Sequence, residues 1–296
     1  SCFGRRAFLV AGGWGCLVFG SLGLASEGVA DLDGVPLDTA VIQYWLNGAA
    51  SHFETYDPKP DAPREYRGPF GVAATTLPGI SFSDRMPRQA AISDRLAILR
   101  AVQHESGAVF TNAGYETYAH PDPAVQSMSR LQFETLTPWD TVRHDEYTFR
   151  LAMAHLKTHQ PRIFYLSLGE TDDWAHEKRY DRVLSALARF DSFFNELWNW
   201  LQDNSQYRDK TTLLITTDHG RGNIALNWHT HNAQIRDAKN TWLAVISPDS
   251  PLRGEWTGGE PVIMNQIAAT LCHFIGLDYS EQNPKAGKPI ARLFVK

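Results

Sequence analysis

The sequence predicts an α/β protein in which helices flank a mainly parallel sheet. Its 296 residues are 43 % hydrophobic and 21 % charged, a composition typical of a globular chain with a sizeable core. From residue 137 onward, apolar stretches with strand character alternate with amphipathic stretches of helical period. This alternation is the pattern of helices that connect parallel strands. The net charge of −5 and the scattered Lys and Arg residues give no reason to expect a nucleic-acid partner.

The first 30 residues have the pattern of an export signal. Arg5 and Arg6 precede an apolar, glycine-rich stretch that runs to about Leu24, and small residues follow around residues 28–30. A transmembrane anchor is the alternative, because the stretch approaches spanning length, but its glycines and the small residues favour cleavage. The letters "RRAFL" resemble a twin-arginine signal. We therefore expect a periplasmic or extracellular protein that contacts the membrane only if the signal is not cleaved.

The remaining chain, residues 31–296, is expected to form a single domain. Strands are predicted at residues 40–48, 95–102, 162–168, 212–217 and 241–247. Helices are predicted at residues 86–92, 137–159, 179–202 and 261–277. Thr137 as N-cap and Pro138 at the first helical position are taken to open the second of these helices. The Pro/Gly-rich residues 54–84 are expected to wrap the domain as an ordered loop.

Acidic and histidine side chains follow two of the predicted strands. In an α/β sheet, ligands bind beyond the carboxyl ends of the strands, and carboxylate and imidazole groups are ligands of Zn²⁺ and similar ions. If the segment after Leu168 is helical, two of these side chains share one face because they are four residues apart. The candidates are Asp172 and His176 in "GETDDWAH", Asp218 and His219 in "TTDHGRG", and His229 and His231 in "NWHTHNA".

Each of these residues also has an ordinary interpretation. Asp172 or Asp173 could cap a helix, a role that Asp often fills. His229 or His231 could be an exposed loop residue, and Asp218–His219 could be a polar turn after a strand. The ordered combination of three such segments at strand ends favours metal binding instead. Enough ligands are present for two ions, which together would hold the attacking and leaving oxygens of an in-line displacement.

The same three segments, "GETDDWAH", "TTDHGRG" and "WHTHNA", resemble the metal-binding segments of the alkaline phosphatase superfamily. That superfamily includes phosphodiesterases, sulfatases and cofactor-independent phosphoglycerate mutases. The resemblance implies an alkaline-phosphatase-like fold with two divalent metal ions, zinc being preferred over manganese or calcium. It assigns Asp172, His176 and His231 to one ion, and Asp218 and His219 to the other. His231 is preferred over His229 because the family motif places its histidine just before an Asn or a small residue, as in "THNA".

The N-terminal part, with "RRAFL" and "YWLNGAASHFETYDPKPDAPREYRGPF", resembles the secreted domain of unknown function 1501 family. From "VFTNAGYETY" onward the chain is closer to uncharacterised phosphatase-like members, so a join is expected near residues 104–111. The superfamily places an Asp after the first strand, where this chain has Asn47. Asn47 is a weaker ligand without charge, and His52 or Glu54 could replace it.

The superfamily also uses a Ser or Thr nucleophile. Ser106 and Thr111 lie near the expected region, although either could be a plain loop hydroxyl. Arg221 is a candidate for binding the substrate anion, because a guanidinium matches phosphate or sulfate in bidentate fashion. The alternative for Arg221 is a surface arginine in a glycine turn.

These observations favour an exported metal-dependent hydrolase of phosphate esters. Sulfate esters are less favoured, because the Cys/Ser-x-Pro-x-Arg pattern of sulfatases is not found in the sequence. The alternative is a degenerate, non-catalytic secreted member that acts as a binding or structural protein, as Asn47 and the mixed pattern suggest. Phosphoryl transfer within a sugar phosphate is a weaker third hypothesis, because such substrates are mostly cytoplasmic.

Overall fold

A seven-stranded sheet lies at the centre of the part of the chain described by the structure, which is a computed structural model. The described residues are 9–11, 40–46, 54–62, 70–103, 118–139, 142–251, 253–279, 283 and 285–294. The strands are β1 (Leu9–Ala11), β2 (Ala40–Leu46), β3 (Val72–Ala74), β4 (Ser81–Ser83), β5 (Ala97–Gln103), β6 (Ile163–Leu168), β7 (Thr211–Thr217), β8 (Asn240–Ile246) and β9 (Gly254–Trp256). The helices are α1 (Pro87–Ala91), α2 (Pro123–Leu131), α3 (Asp145–His159), α4 (Glu170–His176), α5 (Tyr180–Asp203) and α6 (Ile267–Phe274).

The strand order of the main sheet is β1-β6-β2-β7-β8-β5-β9. Parallel pairing joins β1 to β6, β6 to β2, β2 to β7, and β5 to β9. Strand β8 is antiparallel to both of its neighbours. The predicted α/β class with a mainly parallel sheet is therefore confirmed.

Helices cover both faces of the sheet, and the strand sequences show why. Adjacent residues of a strand point to opposite faces. On one face, the ring of Tyr44 lies 5.1 Å from the ring of Phe190 in α5. On the other face, Val41 and Leu214 belong to a cluster that includes Ile267 of α6. Because both faces are buried, β7 reads as the continuous run "TTLLITT", and all of its residues are buried.

Several predicted elements are confirmed and others are corrected. The five predicted strands correspond to β2, β5, β6, β7 and β8 within a few residues. The helix predicted from residue 137 begins only at Asp145, because the hydroxyl of Thr137 donates to the carbonyl oxygen of Trp139 and caps no helix. In place of the helix predicted at residues 261–277, the structure has a 3₁₀ turn at Met264–Gln266 followed by the shorter helix α6.

Some features were not predicted, among them the short strands β1 and β9. Helix α2 begins where the side chain of Asp122 accepts a hydrogen bond of 2.8 Å from the amide of Ala124. The Pro/Gly-rich region predicted as a loop contains the antiparallel pair β3–β4.

The described helices include none that is long and apolar enough to cross a membrane. Of the predicted export segment, residues 1–30, the structure describes only β1. Export therefore stays a prediction.

Candidate metal centre

The carboxyl ends of three parallel strands lie side by side in the middle of the sheet. Leu46 of β2 is in register with Leu168 of β6 on one side and with Thr217 of β7 on the other. The chain therefore leaves β6 and β7 at the same edge of the sheet. This edge is where α/β proteins bind ligands.

Helix α4 follows β6 and carries the first two predicted ligands. Asp172 and His176 are four residues apart and lie on one face of the helix, as expected for a helical segment. His176 Nε2 is 3.3 Å from Asp172 Oδ1.

The loop after β7 brings His231 to the same place. His231 Nε2 is 3.0 Å from His176 Nε2 and 3.8 Å from Asp172 Oδ1. Within the described residues, these three side chains form a group whose ligand atoms all lie within 4.8 Å of one another. His229 is not part of that group.

The group fits a divalent ion in donor type and in spacing. Two imidazole nitrogens and one carboxylate oxygen are ligands that zinc accepts, at about 2.0–2.2 Å. Ligand atoms around a tetrahedral ion with such bonds are separated by about 3.3 Å. The three separations in the group, 3.0, 3.3 and 3.8 Å, bracket this value.

Asp218 and His219 lie next to the group. The ring of His219 stacks on that of His231 with centroids 3.7 Å apart. Nδ1 of His219 is 2.9 Å from the carbonyl oxygen of Gly220. A carbonyl only accepts, so Nδ1 carries a proton and donates to it, which leaves Nε2 as the ring nitrogen that can bind a metal when it is deprotonated. Nε2 is 3.5 Å from Asp218 Oδ2.

The second predicted ion would need further ligands beyond this pair. Among the described residues, Asp218 and His219 belong to no group of three that could hold an ion. Asn47 and His52 lie outside the described residues, and so do the nucleophile candidates Ser106 and Thr111. Glu54 is described, and it accepts a hydrogen bond from the hydroxyl of Tyr180.

Gly220 fixes the turn that carries the Asp218–His219 pair. Its amide donates to the carbonyl oxygen of Ala238 at 2.7 Å. A Cβ at this position would lie 2.2 Å from the carbonyl oxygen of Asn240 and 2.6 Å from that of Asp237. Only glycine permits so close an approach to the start of β8.

Arg221 is buried beside the group. Its guanidinium donates to Asp172 Oδ1 and, at 3.4 Å, to the carbonyl oxygen of Thr171. Only 8 % of Arg221 is exposed, so the alternative of a surface arginine is wrong. Its predicted role in binding the substrate anion stays a prediction.

The charges of the site act on the pKa values of its members. Burial alone would raise the pKa of Asp172, but the Arg221 charge and the hydrogen bond with His176 hold that pKa well below its ordinary value. The same hydrogen bond raises the pKa of His176. Burial, followed by the charge of His219, lowers the pKa of His231 to about 4. His231 is therefore neutral at pH 7 and available as a ligand.

A buried network that sequence reasoning missed holds α4 in position. Asp145 Oδ1, at the start of α3, accepts from the amides of Gly169 and Glu170 at 2.8 and 3.3 Å. In return, Glu170 Oε1 accepts from the amide of Asp145 at 3.0 Å and lies 2.7 Å from His144 Nδ1. Arg189 of α5 pairs with Glu170. No local signal reveals these contacts, because charged residues at helix ends usually face solvent.

Comparison with known proteins adds the following similarities. The family model described as "Protein of unknown function (DUF1501)" matches residues 38–138, about a third of the chain. The match runs past residues 104–111, where the sequence suggested a join. No curated protein matches the sequence.

Solved structures show distant likeness. Ps i-CgsB is 12 % identical over 84 % of this chain and 74 % of its own, with a TM-score of 0.48. The structure of Ps i-CgsB in complex with k-i-k-neocarrahexaose is 11 % identical over 85 % of this chain and 74 % of its own, with a TM-score of 0.49. The lipoteichoic acid synthase LtaP from Listeria monocytogenes is 12 % identical over 81 % of this chain and 72 % of its own, with a TM-score of 0.43. The N-terminal resemblance predicted from the sequence is thus confirmed: residues 38–138 are similar to the DUF1501 family.

Proposed function

We propose that this protein is an exported metal-dependent hydrolase of phosphate esters, with sulfate esters the less favoured substrates. The observation that carries the proposal is the group of Asp172, His176 and His231 at the carboxyl edge of a parallel sheet. The neighbouring Asp218 and His219 support it, because they offer further oxygen and nitrogen donors beside the group.

The chain's own residues account for most of the chemistry in this proposal. A divalent ion held by the group, zinc being preferred, supplies Lewis-acid polarisation of the ester and makes a hydroxyl reactive at neutral pH. Asp172 contributes the negative charge, and His231 contributes a neutral imidazole. Arg221 contributes a positive charge that suits an ester anion. The attacking hydroxyl belongs to water or to Ser106 or Thr111.

A non-catalytic binding protein is the second candidate function. Asn47 follows β2, whose end lies between the ends of β6 and β7, in the position where the superfamily has an acid. A chain that holds a single ion through Asp172, His176 and His231 would fit this candidate.

Export is part of the proposal and rests on Arg5, Arg6 and the apolar stretch after them. A fusion of residues 1–30 to a reporter that is active only outside the cytoplasm tests it. Export of the fusion that depends on Arg5 and Arg6 supports the twin-arginine route. Retention of the fusion in the cytoplasm contradicts the proposed export.

Hydrolysis of model esters tests the proposed activity. Bis(p-nitrophenyl) phosphate, p-nitrophenyl phosphate and p-nitrophenyl sulfate would be offered to the full chain with zinc or manganese. We expect His231→Ala to lower kcat/KM by about 100-fold or more, because it removes a ligand. The matched control His229→Ala, two residues away on the same loop, should stay within about threefold of wild type.

Two outcomes would contradict the activity. One is that the metal-loaded wild-type protein hydrolyses none of the three esters. The other is that His231→Ala retains the wild-type rate, which would place the chemistry elsewhere.

A further inference from the structure

One carboxylate oxygen lies between Arg221 and the metal-ligand group. Asp172 Oδ1 accepts a hydrogen bond from the guanidinium of Arg221. The same oxygen is 3.3 Å from His176 Nε2 and 3.8 Å from His231 Nε2. It is therefore both the oxygen that would complete the ligand set and the acceptor of the buried arginine.

We propose that Arg221 and the metal ion compete for Asp172 Oδ1, and that metal binding releases the guanidinium to bind the anionic group of the ester. This inference rests on the proposed function. A guanidinium carries one positive charge and a divalent ion two, and in a buried site their repulsion is poorly screened. Both Arg221 and Asp172 are 8 % exposed, so little solvent separates them.

The backbone around Arg221 makes the exchange a movement of the side chain. On one side, the amide of Gly220 is held by the carbonyl oxygen of Ala238 at 2.7 Å. On the other side, the amide of Gly222 donates to the carbonyl oxygen of Thr230 at 3.1 Å. The turn is anchored on both sides of Arg221, so the proposed exchange involves the arginine side chain and not the backbone.

The contrary interpretation is that Arg221 only orients Asp172 for the metal. Residues that orient a metal ligand usually strengthen metal binding, and removing one costs about 10–100-fold in affinity. Competition predicts the opposite: removing Arg221 should raise the affinity for the metal. The direction in which the metal affinity changes therefore decides between the two roles.

Zinc affinity of the full chain, measured by calorimetric competition with a chelator, tests the proposal. We expect Arg221→Gln to bind zinc about tenfold tighter than wild type. The control is Arg88→Gln. Arg88 of α1 also pairs with a buried carboxylate, that of Asp191 in α5, at 3.4 Å, but this pair is not part of the metal-ligand group. Arg88→Gln should bind zinc as wild type does. Equal or weaker zinc binding by Arg221→Gln would overturn the proposal.

Inorganic phosphate tests the release of the guanidinium. In wild type, phosphate should tighten zinc binding, because it gives the released guanidinium a partner, and binding linkage is reciprocal. The ratio of the zinc affinity of Arg221→Gln to that of wild type should therefore be smaller when phosphate is present. A ratio that phosphate does not change would overturn this part of the proposal.

A second variant covers the case in which Arg221→Gln does not fold. Arg221→Lys keeps the positive charge but loses the guanidinium's fork of donors. Its zinc affinity should therefore lie between those of wild type and Arg221→Gln, and weaker zinc binding than wild type would contradict competition.

If the wild-type chain binds no zinc at all, the metal site of the proposed function fails as well. If zinc binding follows these expectations but no ester is hydrolysed, only the proposed function fails.

Discussion

At the residue scale, His231 illustrates what the sequence could and could not predict. The pattern "WHTHNA" offered two histidines, and His231 is the one near Asp172 and His176. The types and order of the three ligands were thus readable from the sequence. The pairing of Arg221 with Asp172 was not, because 49 residues separate them and no local pattern marks the contact.

The buried His155 should make the free energy of unfolding depend on pH. His155 of α3 is buried and lies 3.0 Å, through Nδ1, from the hydroxyl of Tyr118. Burial, followed by the charge of His159, lowers the pKa of His155 to about 4. A histidine whose folded pKa lies below its unfolded pKa of about 6.5 binds fewer protons when folded. Its contribution to stability is therefore lost as the pH falls from about 6.5 toward 4.

We expect His155→Gln to reduce this loss. Between about pH 7.5 and pH 5, wild type should lose about 1–2 kcal/mol more free energy of unfolding than the variant. Urea denaturation at both pH values measures the difference, with His273→Gln as a control for an exposed imidazole. Identical losses in wild type and His155→Gln would show that His155 does not titrate in this way.

At the scale of elements, the metal-ligand helix α4 depends on α3. The sequence predicted that α3 starts at residue 137, but it begins at Asp145, where Asp145 and Glu170 exchange hydrogen bonds with the start of each other's helix. The start of α3 is set by this contact between helices, so the local signals of Thr137 and Pro138 were misleading. Strands were predicted more accurately, because buried strands such as β7 and β8 are short runs rich in apolar and β-branched residues.

Removing Glu170 should destabilise the protein far more than removing a surface acid of the same helix pair. Glu170→Ala leaves the amide of Asp145 and the guanidinium of Arg189 without this acceptor, and we expect a cost of about 3 kcal/mol in the free energy of unfolding. Glu146, which pairs with Arg150 and is 46 % exposed, is the control. Glu146→Ala should cost less than about 1 kcal/mol.

Equilibrium unfolding in urea measures both variants. If Glu170→Ala and Glu146→Ala cost the same free energy, the buried network does not fix α4. In that case the geometry of Asp172 and His176 would depend on other contacts.

At the scale of the whole molecule, the order β6-β2-β7 assembles the site. It aligns the ends of three parallel strands, two of which lead directly to predicted ligands. The sequence predicted the alternation of strands and helices, and hence the parallel sheet. It did not predict the antiparallel insertion of β8 between β7 and β5, because the direction of a strand depends on its connections and not on its own residues.

The central claim is that Asp172, His176 and His231 hold a divalent metal ion. The most direct test is the metal content per chain, measured by elemental mass spectrometry on the full-length wild type, His231→Ala and His229→Ala purified without chelator. We predict that wild type and His229→Ala carry about one ion more per chain than His231→Ala. A second ion that wild type and His231→Ala both carry would indicate a further site, for which Asp218 and His219 are the predicted ligands. Equal metal content in wild type and His231→Ala, or no metal in either, would contradict the claim.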